Sequence, residues 1–224
     1  MIGTNSHRRS AIRHRVRWWR SKYAWLGISA GGASTLNNRN TIVLAILSVI
    51  FGLALYGYLG MYPTFLREQL HYAPADAGRV MSIYGLGVLV SVVSGWLGDR
   101  FSPRLVLGTS FLLASAVAAV LFNGPTDFAT QAGFSLVLGA VFSGTIFVNL
   151  AACHVKSVSA DLSGRASGLF VTSVYGSATI AGYLIGFIVG LSGWTVAGNI
   201  QLVLLCLAGA VISLALKPTG GVKA

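Results

Sequence analysis

The chain has 224 residues, of which 54% are hydrophobic and only 9% are charged. This composition, with a mean hydropathy of +0.73, excludes ordinary water-soluble enzymes and binding modules and indicates a polytopic protein embedded in the lipid bilayer. The net charge of +11 would suggest a nucleic-acid partner in a soluble protein. Here we expect none, because most basic residues lie in the N-terminal tail or near the ends of apolar runs, where membrane topology places them.

Residues 1–40 are predicted to form a basic segment on the cytoplasmic side. Seven basic residues crowd the first 22 positions: Arg8, Arg9, Arg13, Arg15, Arg17, Arg20 and Lys22. Aromatic residues lie among them at 18–25, a composition suited to an anionic leaflet, where each base contributes about 1 kcal/mol. We favour a cytoplasmic flank of this kind over an organelle transit peptide. Residues 31–35, rich in small residues, are predicted to be a flexible joint.

Six apolar runs of helix length follow, at 41–66, 78–98, 104–122, 130–153, 166–191 and 194–216. Each is close to the roughly 20 residues that a helix needs to cross the hydrocarbon core. The runs are continuously apolar and lack the alternation of a membrane barrel. The predicted fold is therefore an all-α membrane protein in which six transmembrane helices occupy residues 41–217, followed by a cytoplasmic tail at 218–224.

The loop charges predict the orientation. An even number of crossings places both termini on one side of the membrane. The loops on that side carry Arg100, Arg104, Lys156 and Arg165, whereas the opposite loops carry two arginines with three acidic residues. Basic loops remain in the cytoplasm. We therefore expect both termini in the cytoplasm and a location in the plasma membrane, which is the inner membrane of a bacterium.

A short charged turn joins the second and third runs. It reads Gly-Trp-Leu-Gly-Asp-Arg-Phe-Ser-Pro-Arg over residues 95–104, and no other charged residue occurs between 83 and 122. This turn resembles the signature loop of the major facilitator superfamily, Gly-x-Leu-x-Asp-Arg-x-Gly-Arg/Lys-Arg/Lys. The matching residues are Gly95, Leu97, Asp99, Arg100 and Arg104, whereas Ser102 and Pro103 depart from the pattern.

The resemblance extends over most of residues 41–217 and implies one six-helix half of a secondary transporter, which moves a small solute by alternating access. The fourth run contains no arginine, unlike the fourth helix of many N-terminal halves, so the chain resembles a C-terminal half. A second six-helix half is then expected as partner, either a separate chain or a second copy. The alternative is a non-transporting fragment of a half-transporter or a membrane interaction protein.

The resemblance also implies a role for Asp99. In the family, the equivalent aspartate helps to hold a cytoplasmic gate closed through charge contacts with neighbouring helix ends. The alternative is a local salt bridge with Arg100 or Arg104 that serves only the turn.

Substrate contacts in the family come from the inward faces of central helices near the bilayer midplane. The polar or aromatic candidates well inside the runs are Tyr56, Tyr84, Asn149 and Tyr175. Each could instead form an interhelical hydrogen bond or an interfacial anchor. Asn149 is the preferred candidate of the four.

No carboxylate lies in the middle of any run, so the chain offers no residue for ion coupling. His154, near the end of the fourth run, is interpreted as interfacial. Uniport and coupling through the second half both remain open.

Small residues at four-residue spacing are predicted to let helices pack closely rather than line a pore. These stripes are Gly87, Ser91 and Gly95 in the second run and Gly182, Gly186 and Gly190 in the fifth.

An enzymatic function is not expected. A rhomboid protease, which also has six helices, needs a Gly-x-Ser-Gly nucleophile and a later histidine, but Val141 stands two residues before Ser143 and no histidine follows His154. The motifs of mitochondrial carriers and zinc transporters are missing as well. Cys153 and Cys206 are interpreted as apolar fillers, and no cofactor or metal site is predicted.

Overall fold

The computed structural model describes residues 32–217, and within this range the chain is helical except for short connections. The predictions for residues 1–31 and 218–224 lie outside the described residues. Five helical segments are long and apolar enough to cross a membrane. The first four are α1 (Arg39–Glu68), α2 (Pro74–Arg100), α3 (Pro103–Asn123) and α4 (Phe128–Lys156). The chain is thus an all-α membrane protein, as predicted.

The fifth segment, Ala160–Ser213, is 54 residues long, which corresponds to about 80 Å of straight helix. It is not straight, because Gly193 interrupts it with φ 83° and ψ 172°. A positive φ of this size is comfortable only for glycine. The break lies at the turn predicted between the last two apolar runs, and it divides the segment into α5 (163–192) and α6 (194–213).

Polar caps explain why α1, α3 and α4 begin ahead of the predicted apolar runs. Asn38, Ser102 and Asp127 precede α1, α3 and α4, and each side chain accepts a hydrogen bond from the backbone N–H three residues later. A helix begins at its cap, which is polar and lies outside the apolar run. The hydrogen bonds from Thr130 also hold the pKa of the exposed Asp127 carboxyl below its usual value.

Helices α1 and α5 pack side by side and run in the same direction. A Cβ on Gly52 would lie 2.4 Å from the carbonyl oxygen of Val174, and farther along both helices a Cβ on Gly186 would lie 3.8 Å from the Met61 side chain. The chain then reverses at Gly193, and α6 runs back along α5. The Gln201 amide of α6 accordingly donates a hydrogen bond of 2.8 Å to the carbonyl of Ala181 in α5.

Contacts between the other helices give their directions. Helices α2 and α4 run parallel, with Ser94 bonded to Asn149. Helices α3 and α6 run antiparallel: Ser115 donates to the carbonyl of Val203, and the side chains of Asn123 and Asn199 bond each other. Odd-numbered helices therefore point one way and even-numbered helices the other.

Glycines bring α2 and α4 into backbone contact. A Cβ on Gly87 would lie 2.2 Å from the Leu136 carbonyl oxygen, and a Cβ on Gly139 would lie 2.1 Å from the Tyr84 carbonyl oxygen. Close packing is thus confirmed at Gly87. In the fifth-run stripe, Gly186 approaches Met61 of α1, whereas a Cβ on Gly182 or Gly190 would meet nothing within 4 Å. Close packing within the described residues is therefore not seen at Gly182 and Gly190.

The two ends of the bundle differ in charge within the described range. One end, called the basic end below, carries six basic and two acidic side chains: Arg39, Arg100, Arg104, Lys156, Arg165, Lys217, Asp99 and Asp161. The opposite end carries two basic and three acidic side chains: Arg67, Arg79, Glu68, Asp76 and Asp127. The strong asymmetry matches the predicted loop charges.

The lead-in to α1 is attached to the basic end rather than free. Ala33 donates to the carbonyl of Ser157 at 3.2 Å and accepts from the N–H of Ser159 at 2.9 Å, so it pairs with the α4–α5 loop. The prediction of a flexible joint is therefore wrong for its described part, since the sequence could not show a pairing partner so distant along the chain.

Candidate functional site

The charged turn is shorter than predicted. Helix α2 continues through Arg100, and α3 begins at Pro103, so Phe101 and Ser102 alone connect the two helices. Phe101 is extended, with φ −112° and ψ 159°. Most of the signature loop is therefore the last helical turn of α2, which fixes the direction of its side chains.

Asp99 forms a salt bridge with the end of another helix. Its Oδ1 atom lies 2.6 Å from Nζ of Lys156, the last residue of α4. The two side chains are 73% and 36% exposed, so the pair remains in contact with water. The structure thus shows a contact between helix ends, and not the alternative of a salt bridge between Asp99 and Arg100 or Arg104.

The two arginines of the motif bind elsewhere. The Arg100 guanidinium lies over the Trp96 ring, 5.2 Å from its centroid. Arg104 donates from Nε at 3.0 Å and from Nη2 at 2.5 Å to the carbonyl oxygen of Leu216, just beyond α6. A cation at a helix C-terminus stabilises the exposed carbonyls. The motif therefore connects the ends of α2, α3, α4 and α6.

Asn149 lies directly beside the motif helix. It is 4% exposed, and its Nδ2 donates to Ser94 Oγ at 3.0 Å and to the Thr145 carbonyl at 2.9 Å. It is therefore an interhelical hydrogen-bonding group between α2 and α4. A substrate contact by Asn149 stays a prediction.

The three candidate tyrosines fall into two environments. Tyr84 is 5% exposed, and its hydroxyl bonds Ser143 Oγ at 2.8 Å across the α2–α4 contact. Tyr56 of α1 and Tyr175 of α5 lie together, with ring centroids 5.8 Å apart. Tyr175 is 47% exposed. The structure thus pairs Tyr56 with Tyr175 on an open face and places Tyr84 in a buried seam.

The family model of the Major Facilitator Superfamily matches residues 44–223. This chain belongs to the Major Facilitator Superfamily. The match covers all of the described helices except the first turns of α1, so it places the signature turn within a facilitator fold.

Curated relatives of this facilitator chain are bacterial transport proteins. It is 26% identical to the "Uncharacterized MFS-type transporter YvkA" of Bacillus subtilis (strain 168) over 163 residues. The aligned region covers 70% of this chain and 35% of the relative. It is 32% identical over 151 residues to the "Probable nitrate/nitrite transporter NarK2" of Mycobacterium tuberculosis, covering 62% and 33%. A "Probable hexose phosphate transport protein" of Chlamydia pneumoniae is 30% identical over 137 residues, covering 58% and 30%. The chain spans about a third of the length of these relatives.

Sequence reasoning missed Gly98, which stands at an unspecified position of the facilitator motif. A Cβ there would lie 1.8 Å from Asn149 Oδ1, so a side chain would displace the amide from Ser94. The sequence contained a signal for this contact, because Gly98 lies four residues after Ser94 and therefore on the same face of α2. By contrast, a Cβ on Gly95, which matched the motif, would meet nothing within 4 Å.

A second missed feature of the facilitator core is a ladder of tyrosines on α1 bonded to polar groups on α4. Tyr58 donates to Ser135 Oγ at 2.9 Å, and Tyr62 donates to Gln131 Oε1. The Tyr58 and Tyr62 rings stack with centroids 4.5 Å apart. Matching four-residue spacings, 58 with 62 and 131 with 135, could have revealed two facing stripes.

His154, interpreted from the sequence as interfacial, is buried against a neighbouring helix. The side chain is 0% exposed, its Nδ1 lies 3.0 Å from the Leu150 carbonyl oxygen, and its ring lies 5.5 Å from that of Phe170. The physical reason is that α5 packs over the end of α4. Proximity to the end of a helix does not expose a residue whose face is covered by the next helix.

Proposed function

We propose that this chain supplies one six-helix half of a facilitator-type secondary transporter and moves a small solute by alternating access with a second half. Membership of the Major Facilitator Superfamily indicates solute transport. The observation that carries the proposal is the salt bridge between Asp99 and Lys156, which joins two helix ends at the position where the family has its gate.

Six membrane crossings are supported by the reversal at Gly193. Helices α5 and α6 would be about 45 Å and 30 Å long at 1.5 Å per residue, and each length suffices for a hydrocarbon core of about 30 Å. They lie antiparallel, as the bond from Gln201 to Ala181 indicates. Six crossings place both ends of the described range on one side.

The basic end is proposed to face the cytoplasm, because loops rich in lysine and arginine are retained there. The curated relatives are bacterial proteins, so the plasma membrane proposed here is a bacterial inner membrane. The termini at that end then lie in the cytoplasm.

A second half is supported by the uncovered faces of α2 and α5. Large apolar side chains at least 47% exposed occur on both helices: Leu86, Leu89, Val92, Val93, Trp96, Val171, Tyr175, Ile180, Tyr183, Phe187 and Leu191. Glycines without neighbours accompany them on α5, at 176, 182 and 190. Small residues allow another helix to approach closely, so this face suits a protein partner. Within this proposal, the Tyr56–Tyr175 pair faces the solute between the halves, and Tyr84 and Asn149 contribute from the contact between α2 and α4.

The salt bridge between Asp99 and Lys156 is weak enough to act as a gate. An exposed salt bridge contributes about 0–1 kcal/mol, which is small enough to break and re-form in every transport cycle. Because Asp99 and Lys156 lie at the ends of α2 and α4, breaking the pair frees these ends to separate. Arg104 meanwhile keeps α3 attached to the end of α6.

Flux through proteoliposomes tests the proposal. The full chain is reconstituted, and uptake of radiolabelled solutes is measured, starting with nitrate and glucose 6-phosphate because two relatives are named for such solutes. Asp99→Asn is expected to lower the initial rate at least several-fold while leaving membrane insertion unchanged. Lys156→Asp combined with Asp99→Lys is expected to recover part of that rate.

Asp161→Asn is the matched control, because Asp161 is an exposed carboxylate at the same end of the bundle. It should transport like the unmodified chain. Equal rates for Asp99→Asn and the unmodified chain would remove Asp99 from the gate. Absence of chain-dependent flux for every solute would favour the non-transporting alternative.

A further inference from the structure

A groove on the outer surface of the bundle runs between α3 and α6, starting at the basic end. Its volume is about 500 Å³, within the range of small-ligand pockets. The floor is formed by the small residues Gly108 and Ala210. At Gly108 the helices are in contact, since a Cβ there would lie 2.8 Å from Ser213 Oγ. A larger residue at this position would fill the floor.

The walls of the groove are apolar and open to the surroundings. Leu105 and Leu112 of α3 are 52% and 55% exposed, and Val211 and Leu214 of α6 are 68% and 61% exposed. In a membrane these side chains contact lipid. A groove with such walls and a flat glycine floor offers a flexible hydrocarbon chain more contact than a smooth helix surface does.

The groove has the length of one leaflet. Along α3 and its cap, the groove residues extend from Ser102 to Leu112, which is about 15 Å at 1.5 Å per residue. Half of a hydrocarbon core of about 30 Å is the same distance. The groove therefore begins at the headgroup level and ends near the bilayer midplane, as one acyl chain does.

The end of the groove at the membrane surface is polar and basic. Arg104 and Ser102 line it. Arg104 uses Nε and Nη2 to hold the Leu216 carbonyl, and a guanidinium has five N–H donors, so donors remain for a second acceptor. The Ser102 hydroxyl accepts from the N–H of Leu105, which leaves its own proton to donate.

We propose that this groove binds an anionic phospholipid, with one acyl chain along α3 and α6 and the phosphate at Arg104 and Ser102. Arginine recognises phosphate through paired N–H donors. The six basic side chains of the basic end, against two acidic ones, add attraction for negative headgroups. The occupant ties Arg104, and through it the end of α6, to the leaflet while the other helix ends move.

Native mass spectrometry of the purified full chain tests the site. The probes are dioleoyl phosphatidylglycerol, dioleoyl phosphatidylcholine and oleate, added separately over the same concentration range. The retained phosphatidylglycerol adduct is expected at about fivefold lower concentration than the phosphatidylcholine adduct, since one basic side chain near the surface contributes about 1 kcal/mol. Arg104→Gln should abolish this preference.

Leu112→Trp supplies an independent variant, because it narrows the groove from an exposed position and should weaken both phospholipids without disturbing the core. Arg79→Gln at the opposite end and Leu204→Trp, a position of α6 that is 56% exposed and outside the groove lining, are the matched controls and should bind like the unmodified chain. Equal binding of the two phospholipids, an unchanged preference in Arg104→Gln, or unchanged binding of both phospholipids in Leu112→Trp would overturn the proposal. Oleate bound as tightly as phosphatidylglycerol would do so as well, since a free fatty acid would then be the occupant.

Discussion

At the scale of single residues, Tyr84 and Tyr175 have the same side chain but different surroundings. We expect a structural role for Tyr84 and a functional role for Tyr175. Tyr84 is 5% exposed and bonded to Ser143, whereas Tyr175 is 47% exposed. Tyr84→Ala is expected to destabilise the protein by about 3 kcal/mol or more, because it leaves a cavity in a packed seam. Tyr175→Ala should leave the unfolding midpoint nearly unchanged and raise the KM for the solute.

Thermal unfolding and concentration-dependent uptake check these two outcomes. A stable Tyr84→Ala variant would contradict the seam seen between α2 and α4. An unchanged KM for Tyr175→Ala would remove the tyrosine pair from the proposed solute site, and would leave the fold as described.

At the scale of the elements, α2 and α4 form a unit because their backbones touch. Gly139→Ala places a methyl group 2.1 Å from the Tyr84 carbonyl, so the two helices must separate, at a cost of about 1–3 kcal/mol. Gly133→Ala on the same helix meets nothing within 4 Å. It should be neutral or stabilising by up to about 1 kcal/mol, because alanine favours helix.

Unfolding midpoints in the same detergent compare the two variants directly. Equal midpoints would show that Gly139 does not set the distance between α2 and α4. Since Asn149 and Ser94 bond across the same contact, Gly139→Ala is also expected to lower transport through the motif helix.

At the scale of the whole molecule, the alternation of helix direction predicts which loops lie on the same side. Ser102→Cys at the basic end and Ser192→Cys at the opposite end are both exposed positions. In a chain whose Cys153 and Cys206 are replaced by alanine, an impermeant maleimide added to intact cells should label Ser192→Cys only. Labelling of Ser102→Cys from outside would contradict the proposed orientation.

Cross-linking tests whether the uncovered face meets a partner. Tyr183 of α5 is 76% exposed and Leu113 of α3 is 48% exposed. In membranes, Tyr183→Cys is expected to give a product of two chains with a short bis-maleimide if the second half is another copy, whereas Leu113→Cys should remain monomeric. Equal products from both positions would indicate random collision rather than an interface.

The sequence by itself determined the features that depend on neighbouring residues. Apolar runs of membrane length and the break at Gly193 follow from local chemistry. The charge asymmetry between loops likewise needs only the order of the residues. These features are decided within a few residues of each position, which is why the helices, their order and the family could be predicted.

Tertiary structure decided which faces of the helices meet. In a membrane protein the lipid-facing and buried sides of a helix are both apolar, so hydrophobic periodicity does not separate them. The sequence therefore could not show that Asp99 pairs with Lys156, that His154 is covered by α5, or that Gly186 approaches α1. Each outcome depends on segments distant in the chain that are brought together by backbone contact at a few glycines.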